Sequence, residues 1–409
     1  MKVLHVTPHL GGGVGKAHAA IRSALPSKIE QTFALLEEPR DRRYASLIER
    51  SGAQVIVAES LDDVARLAGE ADVVQFEFWN HPRLFECLAC CAFPAIRSVF
   101  WSHISGIKSP LIPPGLIEEA MCFVFSTSAS FDIASLAYVS DAARQRAAVI
   151  NSGFGFLNAR QRKSVRGPKP TVAYLGTVDF VKMHPGFFDA IDGLADDICV
   201  SVWGAVDPLG PVVARAAAMR HPERVSLRGK TEEPLTALSD ADIFFYPLQP
   251  DHYGTAENVL IEAMSLGLVP IVLNNAAEMA IVRDRETGFV ARSIEEARSL
   301  LQMLLSSADV RERISRNAID FVAENRTPRQ SAQDFMILWL GLLSKPPRYC
   351  DFRAAVGASP DEWFAATQRL PGAEWSPSDR NDVQRPSKGT LAHFESVFGR
   401  DASLARLRR

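Results

Sequence analysis

The feature that most constrains the fold of this chain is the regular alternation of short apolar runs with helical segments. The N-terminal part holds seven runs that are rich in β-branched and aromatic residues and that predict strands. They cover residues 2–7, 31–36, 53–58, 72–78, 95–103, 122–126 and 147–151. Helical segments such as 14–25 and 84–91 separate them. This alternation predicts a parallel sheet with helices on both faces.

A second series of the same kind begins at Thr171, with predicted strands at residues 171–175, 198–203, 225–228, 243–246, 269–273 and 290–291. The basic run RQRKSVRGPK, residues 160–169, precedes it and lacks apolar periodicity, which favours a solvated linker over a polyanion-binding segment. We therefore expect an α/β chain of two Rossmann-like, doubly wound parallel-sheet domains that face an interdomain cleft.

The expected division of the chain has four parts. Residues 1–160 form the first domain, 161–170 the linker and 171–345 the second domain. From residue 346 to 409 the sequence is polar and contains Pro, Trp and Arg, with two short predicted helices at 360–370 and 388–398. We expect this C-terminal extension to pack back on the first domain or to be partly disordered.

Composition argues against several classes of protein. The length of 409 residues agrees with two domains, and the net charge of −3 argues against a nucleic-acid partner. Six cysteines are too few for a disulfide scaffold, and Cys87, Cys90 and Cys91 lie in an apolar helical stretch that indicates buried thiols rather than a metal site. No apolar run approaches the length of a transmembrane helix. We expect a cytoplasmic protein without a metal; a peripheral contact with the inner face of a membrane is left open.

The stretch 251–273 is the strongest candidate for a ligand site. Gly254 and Thr255 interrupt the chain before a helical pattern at 258–266, which Gly267 ends, and a buried strand follows. Backbone amides that open a helix suit a phosphate group, and an acidic side chain one turn further can accept hydrogen bonds from sugar hydroxyls. This combination indicates a nucleotide-sugar site.

A glycine-rich turn, Gly11 to Gly13, follows the first strand. It is not a P-loop, because Leu10 stands where that motif needs glycine and Ala17 where it needs serine or threonine. Nor does the run have G-x-G-x-x-G spacing. What the glycines provide is a backbone that a ligand can approach closely, or a tight turn without a ligand.

Five places in the chain together resemble GT-B glycosyltransferases, similar to glycosyltransferase family 4. They are Gly11–Gly13 after the first strand, Trp101-Ser102-His103, Val149–Gly153, Tyr174-Leu175-Gly176 followed by Lys182, and Gly254–Pro270 with Glu278 beyond. The resemblance implies transfer of a sugar from a nucleotide diphosphate sugar to a saccharide, lipid-linked or small-molecule acceptor. It also implies retention of configuration, with neither a cofactor nor a protein nucleophile.

The resemblance assigns the donor to the second domain. The family has two glutamates separated by seven residues: the second falls on Glu262, which would bond the ribose hydroxyls, and the first falls on Gly254. Whether Glu257 replaces that missing carboxylate stays open. The donor set implied by the loop and helix is Gly254, Thr255, Ala256, Glu257, Asn258, Val259 and Glu262.

The resemblance also implies cationic side chains that bind the leaving diphosphate. The family's arginine and lysine fall on Thr177 and Lys182, so the lysine is present and the arginine is not. Lys182 would counter the charge that builds on the departing diphosphate, and the alternative is a solvated loop lysine. Arg228 and Lys230, which follow another predicted strand, are candidates for the missing cation.

The resemblance also implies that the first domain binds the acceptor. His103 matches a family histidine near the reacting sugar, with a hydrogen-bonded structural histidine as the alternative. Gly12, Gly13, His81 and Trp101 are the acceptor-binding candidates, although a core role suits Trp101 equally.

Two rival functions remain: a nucleotide-sugar epimerase or phosphorylase of the same fold, and a non-catalytic nucleotide-sugar-binding partner. The oligomeric state is left undetermined.

Overall fold

The computed structural model describes residues 1–39, 41–153, 169–195, 198–250, 252, 254–255, 257–373, 389–399 and 401–408. These residues form two compact units. The first unit holds residues 1–153 and 328–408 together with Gly254 and Thr255, and the second holds residues 169–252 and 257–327. Each unit is built around its own parallel sheet.

The first sheet has seven strands, all parallel: β1 Lys2–Thr7, β2 Glu30–Leu35, β3 Gln54–Val57, β4 Val73–Phe78, β5 Ser98–Ser102, β6 Cys122–Phe125 and β7 Ala147–Val149. Their order across the sheet is β3-β2-β1-β4-β5-β6-β7. Every residue of β4, β5 and β6 is buried, as expected for strands covered by helices on both faces.

The second sheet has six parallel strands: β8 Val172–Leu175, β9 Val200–Trp203, β10 Val225–Gly229, β11 Ile243–Tyr246, β12 Val269–Leu273 and β13 Phe289–Ala291. Their order is β10-β9-β8-β11-β12-β13. All thirteen predicted strands are present, and the predicted fold class is confirmed.

The helices follow in three groups along the chain. The first unit begins with α1 Gly12–Ala24, α2 Arg43–Arg50, α3 Leu61–Glu70, α4 Pro82–Cys90, α5 Pro114–Glu119 and α6 Asp141–Gln145. The second unit holds α7 Phe187–Asp192, α8 Pro211–Ala217, α9 Pro234–Leu238, α10 Glu257–Ser265, α11 Ala276–Met279, α12 Ile294–Ser306 and α13 Ala308–Asn325. The first unit is completed by α14 Pro328–Leu343, α15 Phe352–Val356, α16 Pro360–Gln368, α17 Leu391–Phe398 and α18 Ala402–Arg406.

The strand orders place one switch point in each sheet. In the first sheet the order reverses between β1 and β4, and in the second between β8 and β11. At such a point the connections leave the sheet in opposite directions, so a crevice opens at the carboxyl ends of the two strands, where ligands of doubly wound folds bind. We call these the first and the second switch point.

The division of the chain differs from the boundary expected at residue 345. Helix α14 belongs to the first unit because it packs on α1 and β4, with Trp339 and Phe335 buried there. The second unit therefore ends before Pro328. The expected linker at 161–170 lies largely outside the described residues, which resume at Lys169.

The C-terminal extension packs on the first unit. Helix α15 lies against α4 and α5, and α16 and α17 also pack on α4. Phe352, Phe364 and Phe394 join the hydrophobic core of this unit. Of the cysteines expected to be buried, Cys87 is buried, Cys91 is half-buried, and Cys90, the last residue of α4, is exposed.

Candidate active site

The glycine-rich turn lies at the first switch point, between β1 and α1. Gly12 opens α1 with φ of +61°, and a side chain built on it would meet no atom within 4 Å. Gly15 differs, because a Cβ there would lie 1.8 Å from the carbonyl oxygen of Leu10. Gly15 thus allows the helix to pack on the turn, while the exposed Gly12 and Gly13 leave backbone open to a ligand.

Two histidines and a carboxylate lie beside this turn. His81 Nε2 is 3.5 Å from Glu37 Oε1, and His9 Nε2 is 3.9 Å from the same oxygen. Each ring accepts a backbone N–H on Nδ1, from Arg83 and Gly11 respectively, so the hydrogen of each neutral ring is on Nε2 and points toward Glu37. Burial alone would raise the pKa of Glu37, but His81, His9 and Arg83 outweigh it and lower that pKa.

Asn80 is a strained residue at the same place. It has φ of +64°, and its side-chain oxygen and nitrogen are buried without a hydrogen-bond partner in the described part of the chain. A buried, unsatisfied amide costs about 1–3 kcal/mol, and left-handed backbone adds to that cost. Such strain concentrates at functional positions of proteins.

A fully buried carboxylate, Glu77, is the centre of the polar contacts in the first unit. Its Oε1 lies 3.0 Å from His5 Nδ1 and accepts a hydrogen bond of 3.0 Å from Gln75 Nε2. Its Oε2 lies 2.8 Å from His103 Nε2 and 3.0 Å from His18 Nε2. Four side chains from three strand regions and one helix therefore converge on one carboxylate.

The strands and α1 bring these residues together. His5 is opposite Gln75 in the β1–β4 pair, and Gln75 and Glu77 point to the same face because side chains alternate along a strand. Helix α1 covers that face and contributes His18. His103 follows β5, and its backbone N–H donates to the carbonyl of Phe78 at 2.7 Å, which fixes the residue beside the end of β4.

Charge in this cluster is set by burial and by the histidines. Burial lowers the pKa of His5 to about 4, so His5 is neutral at pH 7. Burial alone would raise the pKa of Glu77, but His18, His103 and His5 outweigh it and hold that pKa well below its ordinary value. Glu77 is consequently ionised, although it is completely buried.

The same atoms have the spacing of metal ligands. The ligand atoms of His5, His18 and Glu77 lie within 4.8 Å of one another, as do those of His9, Glu37 and His81. However, His9 and His81 already use Nδ1 as acceptors, so their Nε2 atoms carry hydrogen and are not available to an ion. His5 bonds Glu77 with Nδ1 and Gln31 with Nε2. Both groups have the geometry of hydrogen-bonded centres.

Of the expected acceptor residues, Trp101 has a core position. It is 0% exposed, its indole N–H donates to the carbonyl of Ile150 at 3.2 Å, and its ring packs against Phe335 and His103. A sugar therefore has no access to its faces, and the expectation that Trp101 binds the acceptor is replaced by the core alternative. His81 caps the start of α4 and contacts the ring of His393.

In the second unit, three neighbouring strands end in glycine. Gly176 follows β8, Gly204 follows β9, and Gly229 ends β10. A Cβ on Gly204 would lie 2.0 Å from the carbonyl oxygen of Gly176, and all three glycines have positive φ. Glycine is required for this close approach of two strand ends, which leaves their backbone uncovered by side chains.

Lys182 lies in the loop after β8, and that loop is joined to the chain after β11. Gln249 donates its backbone N–H to the Lys182 carbonyl at 2.8 Å, and His184 donates to the Pro247 carbonyl at 3.0 Å. Lys182 is thus held at the second switch point and is half-buried there. Burial also lowers the pKa of the neighbouring His184.

The expected substitutes for the missing cation lie elsewhere on this sheet. Arg228 and Lys230 are exposed and flank Gly229 at the end of β10, which is the edge strand. Strand β9 separates β10 from β8, which precedes Lys182. Arg228 and Lys230 therefore lie away from the second switch point.

The structure describes part of the stretch 251–273, in which the sequence predicts the donor site. Ala256 and the side chain of Glu257 lie outside the described residues, whereas Gly254, Thr255, Asn258 and Val259 are partly exposed. Helix α10 begins at Glu257, and its Glu262 is 3% exposed. Glu262 is the sixth residue of α10, and its contact with a ribose stays a prediction.

A second buried histidine–glutamate pair adjoins this stretch and was not predicted. His252 Nε2 lies 3.0 and 3.1 Å from the two carboxylate oxygens of Glu278, which is fully buried. Asn275 Nδ2 donates to Glu278 at 3.2 Å and to the Leu248 carbonyl at 3.3 Å. The loop that precedes Gly254 is thereby held to the start of α11.

Comparison with known proteins gives one family match and several structures of the same fold. Residues 156–321 match the family model described as glycosyl transferases group 1, and this range covers most of the second unit. The search of curated proteins gives no match. No helix among the described residues is both long enough and apolar enough to span a membrane.

Several solved structures have the same fold at low sequence identity. A glycosyltransferase from Rickettsia africae has a TM-score of 0.68 and 11% identity, over 84% of this chain and 99% of that one. Anabaena HepE in complex with UDP and glucose has a TM-score of 0.66 and 15% identity, over 84% and 100%. Sucrose-phosphate synthase from Thermosynechococcus elongatus has a TM-score of 0.61 and 16% identity, over 84% and 100%.

The family match and the shared fold support a glycosyltransferase. The chain has the GT-B fold, and residues 156–321 match the model of the glycosyl transferases group 1 family.

Proposed function

We propose that this protein transfers a sugar from a nucleotide diphosphate sugar to a saccharide, lipid-linked or small-molecule acceptor. The observation that carries the proposal is the coincidence of the family match with the second unit. Within residues 156–321, Lys182 and the start of α10 both belong to the switch point where a doubly wound sheet binds its ligand. The solved complex of HepE with UDP-glucose supports a uridine diphosphate sugar as the donor.

In this proposal the donor occupies the second switch point. Gly176 and Gly204 leave backbone uncovered beside the β8 end, and amides at the start of α10 add the positive end of a helix dipole. Lys182 neutralises charge on the leaving diphosphate. Glu262 accepts hydrogen bonds from the ribose, and Thr255, Asn258 and Val259 line the path to the sugar.

The acceptor occupies the first switch point. Gly12 and Gly13 offer open backbone, and Glu37, which His81 contacts, offers an acceptor for hydroxyl groups. On the family resemblance we assign His103, which follows β5, the strand next to β4, to the reacting groups. We also propose retention of configuration and a cytoplasmic location with peripheral contact at the inner face of the membrane, both on the family resemblance.

A donor panel tests the function. The purified chain is incubated with uridine, guanosine and adenosine diphosphate sugars, and released nucleoside diphosphate is measured with and without simple glycoside acceptors. Release with at least one donor is expected, and Lys182→Ala should reduce it while the exposed Lys28→Ala control does not. A product that stays nucleotide-linked but changes stereochemistry would instead identify an epimerase.

One observation favours a second candidate, a non-catalytic nucleotide-sugar-binding partner. Gly254 and Thr177 occupy the places of two functional side chains of the family, a carboxylate and an arginine. Calorimetry with nucleoside diphosphates separates the two proposals. Binding together with turnover supports the transferase, binding without turnover on any donor supports the partner, and absence of binding contradicts both.

A further inference from the structure

The loop that carries Lys182 is bound by both the backbone and the side chain of Gln249. This loop, residues 176–186, follows β8, whereas Gln249 follows β11. The backbone N–H of Gln249 donates to the Lys182 carbonyl at 2.8 Å, and its side-chain Nε2 donates to the Phe180 carbonyl at 2.9 Å. A carbonyl oxygen can only accept, so the amide nitrogen of Gln249 must be the atom that faces Phe180. Gln249 thus binds the loop on both sides of Val181.

The turn that contains Lys182 is closed by Asp179. The Asp179 carbonyl accepts the backbone N–H of Lys182 at 3.0 Å and that of Met183 at 2.8 Å. Its carboxylate accepts the backbone N–H of Val181 at 3.0 Å. These bonds use the N–H groups of the turn, and Gln249 supplies the partner for two of its carbonyls. Lys182 is therefore fixed by bonds from its own loop and from the loop after the neighbouring strand.

Gln249 is itself bound to the chain that follows β12. Asn275 Nδ2 lies 3.4 Å from the Gln249 carbonyl oxygen and 3.2 Å from Glu278 Oε1. Glu278 is fully buried and also contacts His252. Strands β8, β11 and β12 are neighbours in the sheet, and hydrogen bonds through Gln249 and Asn275 join the loops that follow them.

We infer that Gln249 is a positioning residue, which holds Lys182 in place for the diphosphate of the donor. This inference rests on the proposed function. Electrostatic stabilisation requires a group that is in place before charge develops, and a displacement of about 1 Å can cost about 10²-fold in rate. The backbone of a loop lysine must be held for such accuracy. The bonds from Gln249 to the Phe180 and Lys182 carbonyls hold it.

Hydrogen exchange tests the contact between Gln249 and the loop without any donor. Gln249→Met keeps the length of the side chain but removes the N–H that binds the Phe180 carbonyl. The backbone amides of Met183 and His184, followed by NMR, should exchange about fivefold faster in this variant, because the loop opens more often when one neutral hydrogen bond is lost. Unchanged exchange at both amides would overturn the inference.

A matched control separates this effect from a general loss of stability. Asn317 Nδ2 donates to the Glu286 carbonyl, also at 2.9 Å and in the same unit. Glu286 precedes β13, so this bond lies at the amino ends of the strands, away from the second switch point. Asn317→Leu should leave the exchange of the Lys182 loop unchanged, and equal exchange in Asn317→Leu and Gln249→Met would contradict the inference.

A second variant keeps the exchange test decisive if Gln249→Met does not fold. Gln249→Glu has the same size as the wild-type side chain, but an ionised carboxylate can only accept and cannot bind the Phe180 carbonyl. Exchange of the Met183 and His184 amides should therefore rise in this variant as well. Wild-type exchange in a folded Gln249→Glu protein would refute the inference.

A double-mutant cycle with Lys182 tests whether the contact matters for function. Gln249→Met should lower kcat of donor consumption by between about 10-fold and 10²-fold in the wild-type chain, but by less than about twofold in the Lys182→Ala chain. The reason is that the position of Lys182 has no effect once its amine is removed. Equal losses in the two backgrounds would mean that Gln249 acts on structure alone and would overturn the inference.

These measurements distinguish a failure of this inference from a failure of the proposed function. A wild-type chain that consumes none of the donors refutes the proposed function, and the same cycle is then measured on UDP affinity by calorimetry. Coupling between Gln249 and Lys182 in UDP affinity supports the inference, whereas absence of coupling or of UDP binding refutes it. Donor consumption with unchanged exchange in Gln249→Met refutes the inference alone.

Discussion

The buried, neutral state of His5 leads to a specific prediction about stability. His5 lies inside the sheet, stacked on Phe33 at 4.4 Å, and burial lowers its pKa to about 4 from 6.5. In the unfolded chain the ring regains its ordinary pKa. Between pH 6.5 and pH 4 the unfolded state therefore binds a proton that the folded state does not, and the free energy of unfolding must fall as the pH falls.

The size of the effect follows from the two pKa values. From pH 7.5 to pH 5, a group with a pKa of 6.5 in the unfolded state and about 4 in the folded state removes about 2 kcal/mol of stability. His5→Gln keeps a hydrogen-bond donor but cannot ionise. The difference in unfolding free energy between wild type and His5→Gln should accordingly shrink by about 2 kcal/mol over this range.

Urea unfolding followed by tryptophan fluorescence at pH 7.5, 6.5, 5.75 and 5 measures this difference. Phe123→Leu serves as the control, because Phe123 is equally buried in the same unit and cannot ionise. Its difference from wild type should be constant with pH. If the His5→Gln and wild-type free energies stay parallel between pH 7.5 and 5, His5 is not neutral by burial and the charge assignment around Glu77 is wrong.

Three further predictions concern the two switch points. Glu262→Gln should weaken nucleoside diphosphate binding by about 1.5–3 kcal/mol in calorimetry, because one charge-assisted hydrogen bond is lost; unchanged affinity in a folded variant would remove Glu262 from the site. Lys182→Ala should lower turnover while the melting temperature stays at the wild-type value, and wild-type turnover would exclude a role for this lysine. Gly15→Ala should cost about 3 kcal/mol of stability, since its methyl group would meet the Leu10 carbonyl, whereas Gly12→Ala should cost only about 1–2 kcal/mol of left-handed strain; equal costs would contradict the described turn.

The strand pattern could be predicted from the sequence because strands covered on both faces are continuous apolar runs. Val269 to Leu273 is such a run, and all of it is buried. Helix α14 was not predicted, although Phe335, Trp339 and Leu342 recur at helical spacing and are buried. Its assignment to the first unit depends on packing against α1, a contact between distant parts of the chain that local periodicity does not encode.

The buried polar cluster was missed for a related reason. His103 was predicted from its match to a family motif, but Glu77 and Gln75 lie inside an apolar strand, where each one looks like an isolated exception. Two polar residues in alternate positions of a buried strand were the available signal, because buried polar groups must find partners. Their partners His5 and His18 come from a strand and a helix far away in sequence, so the fold was needed to join them.

Trp101, in contrast, was identified from the sequence, but with two alternative roles. An aromatic residue beside a histidine that the family resemblance implies to be catalytic suits either sugar stacking or core packing, and the sequence offers no means of choosing between them. The structure decides it, since His18 of α1 and Phe335 of α14 pack against the indole and leave it 0% exposed. The helices that cover a strand, rather than the residue type, determine whether such a ring can meet a ligand.

The division of the first unit into two chain segments has a consequence for biosynthesis. Residues 1–153 leave the ribosome first, but the partner of Gln75 is Trp339, which is made after the whole second unit. Until then the nascent first segment lacks α14, whose Trp339 packs on His5 and donates to Gln75. The second unit is contiguous apart from a short loop and can fold during translation, whereas the first unit acquires its complete core only when the last part of the chain has been made.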